Sequence, residues 1–421
     1  MLSGEVPRRL LPVLAESLTS SPAVALTGPR TAGKSTLARQ FASEVGGTWI
    51  DLDDPGVRHL AAADPAAFVT GLPEPIVVDE FQRVPQILAA IKAELNLDRR
   101  PGRFVLTGSA RHDAVPELAD FLTGRVDLMT LWPFAVSELQ PEPGTFVDRL
   151  LGGELPRRRT AAASRADIVE LVLRGGFPIA VELAGRARAR WFANLARLVV
   201  ERVADDVGPV RDTGILSRFL RLAAATTAQT RNAAELGREV DLGRDQAGVY
   251  LHLLELVHLV FTLPAWSTNV TSSVAKRPKL HLVDSGLAAS LLGVTADGLQ
   301  PTDPAGASRF GPLLETFVVT EVCKQLGWSE HLIEASHYRT TAGVEVDLVL
   351  ETPDGRVAAV EVKASSSPSQ TAATGLRHLR DRLGPLFVGG VVLTTGTQAQ
   401  RIDDRIAVAP VDELWVASEL D

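Results

Sequence analysis

Cysteine, lysine and tyrosine are all scarce in this chain of 421 residues. The single cysteine, Cys323, excludes an intrachain disulfide and any zinc site built on cysteines. It lies in an apolar helical run, where a small core residue is expected. Lysine occurs only at positions 34, 92, 276, 279, 324 and 363, although Lys and Arg together number 43, so most basic charge is arginine. Positive charge is not in excess either. The formal net charge is −8 and the pI about 5.6, which excludes a chain-wide basic field for nucleic acid or anionic membrane. Any contact with nucleic acid has to come from a local patch. Apolar stretches are short and broken by charge, so no spanning helix is expected. Arg8-Arg9 before Leu10-Leu11-Pro12-Val13-Leu14 mimics the start of a secretory signal, but Glu16 ends the apolar run almost at once. The reading is a short amphipathic helix in a cytoplasmic protein with no membrane partner.

What is present is more pointed. Residues 28–36 read Gly28-Pro29-Arg30-Thr31-Ala32-Gly33-Lys34-Ser35-Thr36, which is G-x-x-x-x-G-K-[ST], the P-loop. A short apolar strand, Ala23-Val24-Ala25-Leu26, precedes it, and Leu37, Ala38 and Phe41 mark one side of a helix after it. Loop and helix N-terminal N–H groups would cradle phosphates. Lys34 would reach the β- and γ-phosphates of ATP, and Ser35 would ligate Mg²⁺. One βαβ unit later comes Ile76-Val77-Val78-Asp79-Glu80, an apolar strand ending in two acids. Asp79 would hold Mg²⁺, mostly through water, and Glu80 would act as general base on the attacking water. A third strand runs from Arg103 to Thr107 and ends in Gly108-Ser109. Ser109 or Thr107 at its tip could sense the γ-phosphate; a turn that only closes the strand fits equally well.

The length suggests roughly two to four domains. Residues 1–135 alternate strand and helix patterns, which argues for a parallel sheet covered on both faces. Residues 136–208 turn helical and form a lid or linker. Residues 209–300 suggest a winged helix: a helix near 214–225, a short one capped by Asn232, a turn at Gly243, and a longer helix from Gln246 to His258. Two wing strands would follow, with Lys276, Arg277 and Lys279 clustered for phosphate contacts with DNA or RNA. The helix in the recognition position carries almost no basic side chains, so packing against the ATPase or another protomer fits as well. Asp284 reads as a helix cap.

Residues 301–421 hold a second polar constellation. An apolar helix near 312–326 carries Glu315. Val344-Glu345-Val346-Asp347-Leu348-Val349-Leu350 and Val357-Ala358-Ala359-Val360-Glu361-Val362-Lys363 flank a turn at Gly355. If the two strands pair, Asp347, Glu361 and Lys363 converge, because alternate strand residues share a face. Two carboxylates can bind Mg²⁺, with Lys363 stabilising the attacking water or the developing charge. This D…E-x-K pattern, with its helix bearing Glu315 and a later helix and strand, resembles the PD-(D/E)XK nuclease core. Such a fold can keep its acids and lack activity.

The chain as a whole resembles prokaryotic P-loop ATPases of the AAA+ class that carry a C-terminal region of unknown function. The matching segments are LTGPRTAGKSTLARQF, IVVDEFQRVPQIL, FVLTGSAR and LTGRVDLMTLWPFAVSEL, then KRPKLHLVDSGLAASLLG, GPLLETFVVTEV, YRTTAGVEVDLVLE and AVEVKAS. The resemblance implies an α/β fold: a P-loop AAA+ parallel sheet, a helical linker, a winged helix and a PD-(D/E)XK-like domain. It implies ATP binding through Gly28 to Thr36, Mg²⁺ at Ser35 and Asp79, and hydrolysis assisted by Glu80. It also marks Arg125 as a residue able to stabilise transition-state charge in cis or from a neighbouring protomer, alongside a plain packing role. Metal ligands Glu315, Asp347 and Glu361 with Lys363 would form the second site. Two functions follow. One is an Mg-ATPase acting in nucleic-acid processing or defence, with a homo-oligomer possible. The other is an ATP-switched regulatory protein whose nuclease-like domain only binds a partner or nucleic acid.

Overall fold

The computed structural model describes residues 6–109, 125–141, 144–156, 160–206, 212–267, 277–300 and 303–416. The chain divides into two compact units, residues 1–134 with 252–259, and residues 135–251 with 260–421. No helix among the described residues is long and apolar enough to cross a membrane.

The first unit carries five strands: β1 Ala23–Thr27, β2 Thr48–Asp51, β3 Ile76–Asp79, β4 Phe104–Thr107 and β5 Val126–Thr130. Their order across the sheet is β2-β3-β4-β1-β5, and every pairing is parallel. β1, β3 and β4 are buried at each residue, as unbroken apolar runs require when helices cover both faces. Alternation then sorts their side chains. Val24, Leu26, Val77 and Val105 pack with Leu37 and Phe41 of the helix Lys34–Val45. Ala25, Ile76, Val78 and Leu106 pack with Ile87, Ile91 and Leu95 of the helix Gln86–Leu97. The consequence for function is that β4 separates the two strands that end in the P-loop and in Asp79-Glu80.

In the second unit, the helices Arg165–Arg174, Gly185–Asp206, Thr213–Ala225 and Ala233–Arg238 precede a two-stranded hairpin. The helix Arg244–Leu256 comes next in the chain, ahead of the hairpin. Asn232 caps Ala233–Arg238 by accepting from Glu235 N at 2.8 Å. The hairpin pairs β6 Val260–Leu263 with β7 Lys279–Leu282. Asp284 then caps the helix Ser285–Leu291 through Leu287 N at 2.9 Å and also accepts from Gly176 N at 2.7 Å. This second bond explains the glycine pair after Arg174. Gly175 has φ +68°, and a Cβ there would lie 2.2 Å from Asp284 Oδ1. Gly175→Ala combines left-handed strain with a clash against a buried carboxylate and is expected to cost about 2–4 kcal/mol. Thermal unfolding reads this; a melting temperature equal to wild type would remove the packing role assigned to Gly175.

The C-terminal sheet has six strands in the order β12-β13-β11-β10-β9-β8. β8 Glu334–Arg339, β9 Glu345–Glu351 and β10 Val357–Lys363 form an antiparallel meander. The turn between β9 and β10 holds Gly355 at φ +83°. β11 Phe387–Thr394 lies parallel to β10, and β13 Ile406–Pro410 parallel to β11. β12 Gln400–Asp403 closes the edge antiparallel. The helices Pro304–Leu326 and Thr374–Leu383 both pack on β10. Leu376 and Leu379 of the latter meet Val349, Ala359 and Val392 in the core. The order is therefore helix, three-stranded meander, helix, parallel strand.

Candidate functional sites

The P-loop follows β1, where the strand ends and the helix Lys34–Val45 begins. Gly28 is required by geometry: its φ is +145°, and a Cβ would meet Leu131 O at 2.2 Å. The helix starts on Gly33, in a left-handed conformation and with no side-chain cap. That is the arrangement in which first-turn amides and the helix dipole receive an anion. Lys34 is buried, and its Nζ donates to the carbonyls of Gly28 at 2.9 Å and Pro29 at 3.0 Å. Burial pushes its ammonium down to about 8, against the opposing pull of the Glu80 and Asp79 carboxylates. A phosphate would supply the counter-charge that the low-dielectric pocket withholds.

Asp79 ends β3 and is buried. Thr107 Oγ1 donates to Asp79 Oδ1, and the Ser35 hydroxyl bonds to the same carboxylate. Burial raises the Asp79 pKa, while those two hydrogen bonds oppose the rise. A hydroxyl and a carboxylate held together on adjoining elements are the hard oxygen donors that suit Mg²⁺, so Ser35 and Asp79 fit that ion. Ser35, Thr36, Arg39, Asp51, Asp53 and Asp79 line a cavity of about 840 Å³ beside them.

Glu80 adopts a left-handed conformation at φ +56°. Its N–H donates to Thr107 Oγ1 at 3.2 Å. Gln82 Nε2 donates to Glu80 Oε2 and to Ser109 Oγ at 3.2 Å, and Ser109 Oγ reaches Glu80 Oε2 at 3.5 Å. The β4 tip therefore meets both acids: Thr107 touches Asp79 and Ser109 touches Glu80. Gln82 went unnoticed in the sequence, where only its spacing two residues past Glu80 marks it. In sequence, Arg8 belongs to a signal-like run. Its guanidinium instead donates to Ala32 O at 2.8 Å and Trp132 O at 2.7 Å, bracing the loop from behind.

Arg125 lies away from the P-loop. It stands just before β5, whose Val126 pairs with Ala23 and whose Thr130 pairs with Thr27. The P-loop leaves the opposite end of that register, so Arg125 cannot reach its own γ-phosphate position. Its Nη2 donates to Asn96 Oδ1 at 3.0 Å, and its buried Nε has no hydrogen-bond partner among the described residues.

The second constellation does assemble. Asp347 on β9 and Glu361 on β10 face Glu315 on the helix Pro304–Leu326. Lys363 Nζ donates to Glu361 Oε1 at 2.5 Å, and Asp347 Oδ2 accepts from Val362 N at 2.9 Å. Burial, then the nearby Asp347, pushes both Glu315 and Glu361 up to about 8. The surprise is Lys279. It was expected on an exposed wing with Lys276 and Arg277, but it is buried on β7 and its Nζ donates to Glu315 Oε1 at 2.6 Å and Asp347 Oδ1 at 2.9 Å. Arg277 lies ahead of the strand, is exposed and pairs with Glu235 Oε1 at 2.5 Å, while Lys279 is the first residue of the fully buried β7. Burial opposes the Lys279 charge, but Asp347 and Glu315 outweigh it and hold the ammonium above its usual range. Lys276 lies outside the described residues. With an ammonium bridging two of its three carboxylates, the cluster as it stands does not fit a divalent cation.

The parallel five-stranded sheet and the loop at the end of β1 define the first unit as a P-loop domain of the AAA class. Residues 20–140 match the family described as AAA domain. Residues 165–298 match one domain of unknown function (DUF8612), and residues 310–414 another (DUF4143). Over 411 residues the chain is 28% identical to an uncharacterized protein of Mycobacterium bovis, covering 97% of this chain and 84% of that protein. The same figures hold for an uncharacterized protein of Mycobacterium tuberculosis. Among solved structures, a Walker-type ATPase of Pyrococcus abyssi is similar at 17% identity and a TM-score of 0.43, over 69% of this chain and 99% of that one. AMPPCP-bound DnaA from Aquifex aeolicus is similar at 15% identity and a TM-score of 0.30, over 61% and 89% of the two chains.

Proposed function

We propose that this chain is an Mg-dependent ATPase whose nucleotide cycle acts on its own C-terminal region. The observation that carries the reading is the meeting of Lys34, Ser35, Asp79, Thr107 and Glu80 around one loop. In this reading Gly28 to Thr36 wrap the phosphates, and Lys34 neutralises the β- and γ-oxygens. Ser35 and Asp79 would hold Mg²⁺, which when bound neutralises charge between those phosphates. Glu80 takes a proton from the attacking water, held in position by Gln82 and Ser109. Lys34→Ala is the primary test. Hydrolysis by the purified protein should fall to background together with nucleotide binding; unchanged activity sinks the assignment.

We further read residues 209–300 as a winged helix and 301–421 as a nuclease-like domain, joined to the ATPase at 1–135 by a helical segment at 136–208. Nucleic-acid processing or defence is the setting this combination suits, in the cytoplasm, with DNA or RNA as partner. A second reading is favoured by Lys279: the nuclease-like domain binds without cutting, and ATP switches that binding. Incubation with single-stranded, duplex and branched DNA and RNA, with Mg²⁺ or Mn²⁺, separates the two. Cleavage lost in Asp347→Ala supports a nuclease, whereas binding without cleavage supports the switch.

A further inference from the structure

The C-terminal acids have a resident cation already. Lys279 Nζ lies 2.6 Å from Glu315 Oε1 and 2.9 Å from Asp347 Oδ1, while Lys363 Nζ lies 2.5 Å from Glu361 Oε1. We propose that the Lys279 ammonium permanently takes the cation position between Glu315 and Asp347, so that the native cluster binds no divalent metal and serves as a closed ionic lock between β7 and the nuclease-like sheet. This deepens the second reading above and rests on the same acid set.

Three observations support it. The first is charge. Three carboxylates face two ammonium groups, so a divalent ion added without expelling one would leave positive charge in excess at a buried point. Removing one partner of a buried pair is costly, which opposes that expulsion. The second is fixation. Lys279 is not a surface side chain that can swing aside: all four residues of β7 are buried. Two residues on, His281 Nδ1 lies 3.2 Å from Thr316 Oγ1, next to Glu315 in sequence. Thr316 Oγ1 in turn lies 2.8 Å from Thr227 Oγ1, and Leu282 N donates to Thr227 Oγ1 at 3.3 Å. His281 also stacks on Phe261 of β6, with ring centroids 5.4 Å apart. These contacts fix the β7 backbone, and with it the root of the Lys279 side chain, beside Glu315. The third is the remaining donor. Glu361 Oε2 is buried without a hydrogen-bond partner among the described residues, within the field of Asp347 and Glu315. Glu361 therefore keeps one buried oxygen free, and among the described residues no group of three or more acids, histidines or cysteines is arranged to hold a metal ion.

The experiment is Mn²⁺ titration of nucleotide-free full-length protein, read by the electron paramagnetic resonance of free Mn²⁺ and by the thermal shift. Wild type should show no Mn²⁺ uptake that Asp347→Asn removes. Lys279→Ala should gain one Mn²⁺ per chain, bound on the order of tenfold tighter or more than by wild type, with a raised melting temperature. Asp347→Asn in that background should abolish the gain. Lys279→Met, which keeps the stem volume, serves if the alanine variant fails to fold, and circular dichroism reports folding. Wild-type uptake that disappears in Asp347→Asn overturns the proposal, and that arm needs no Lys279 variant. A folded Lys279 variant that gains no Mn²⁺ overturns it too. ATP hydrolysis is measured separately, so failure here leaves the ATPase reading intact.

Discussion

Glu80→Gln is expected to lower ATP hydrolysis by about 10²–10⁴-fold while ATP affinity stays within a few-fold of wild type. The split between rate and affinity is the informative part. Glu80 belongs to the proton-accepting step, and the groups assigned to phosphate and Mg²⁺ binding, Lys34, Ser35 and Asp79, are all retained in the variant. Glutamine preserves shape and can still bond to Ser109, so the backbone at φ +56° and the contact through Thr107 should persist. What is lost is a carboxylate able to take a proton. Gln82→Ala isolates positioning from proton transfer, because Gln82 only holds Glu80 and Ser109 in place. Its loss should be smaller than that of Glu80→Gln and should be partly restored by Gln82→Asn. Single-turnover hydrolysis together with binding of a fluorescent ATP analogue gives both quantities. If Glu80→Gln turns over at the wild-type rate, another group is the base.

The parallel sheet was legible from the alternation of apolar runs with helical patterns, because a strand covered on both faces needs no polar residues. Lys34, Asp79 and the β4 tip were legible for a related reason: each lies at the carboxyl end of such a strand, where sequence position and spatial position coincide. Strand order was not legible, since it depends on which edges pair. The sequence leaves open whether Arg125 acts in cis, in trans or in packing; its place just before β5, parallel to β1, is at the end of the sheet away from the P-loop. Lys279 failed differently. Lys276, Arg277 and Lys279 are one basic cluster in sequence, but Arg277 is exposed ahead of β7 while Lys279 opens the strand and is buried. The carboxylates that neutralise Lys279 come from 36 and 68 residues further along the chain. Local composition cannot report a charge balanced at such separation. Glu315, Asp347, Glu361 and Lys363 were accessible because a hairpin turn at Gly355 relates three of them by simple register.

Arg125→Ala is expected to lower the hydrolysis rate by about 10³–10⁵-fold with ATP binding retained, and the defect should be repaired by a second protein. The argument is geometric. β5 and β1 run in parallel register over five residues, Ala23 to Thr27 against Val126 to Thr130. At roughly 3.3 Å per residue this separates Arg125 from the P-loop end by about 16 Å. An arginine there can serve a γ-phosphate only in a neighbouring protomer, where its charge would meet the transition state of the other chain. Mixing supplies the test. Arg125→Ala keeps a competent P-loop but cannot serve its neighbour; Lys34→Ala keeps Arg125 but cannot bind nucleotide productively. In a mixed assembly, the arginine of the Lys34→Ala chain completes the site of the Arg125→Ala chain. Hydrolysis should therefore reappear on mixing two inactive proteins, rise with total concentration, and follow the fraction of assembled chains seen by mass photometry. If Arg125→Ala is inactive and mixing restores nothing, its guanidinium supports the fold through Asn96 instead. If the variant is fully active, the transition-state charge is met by another group.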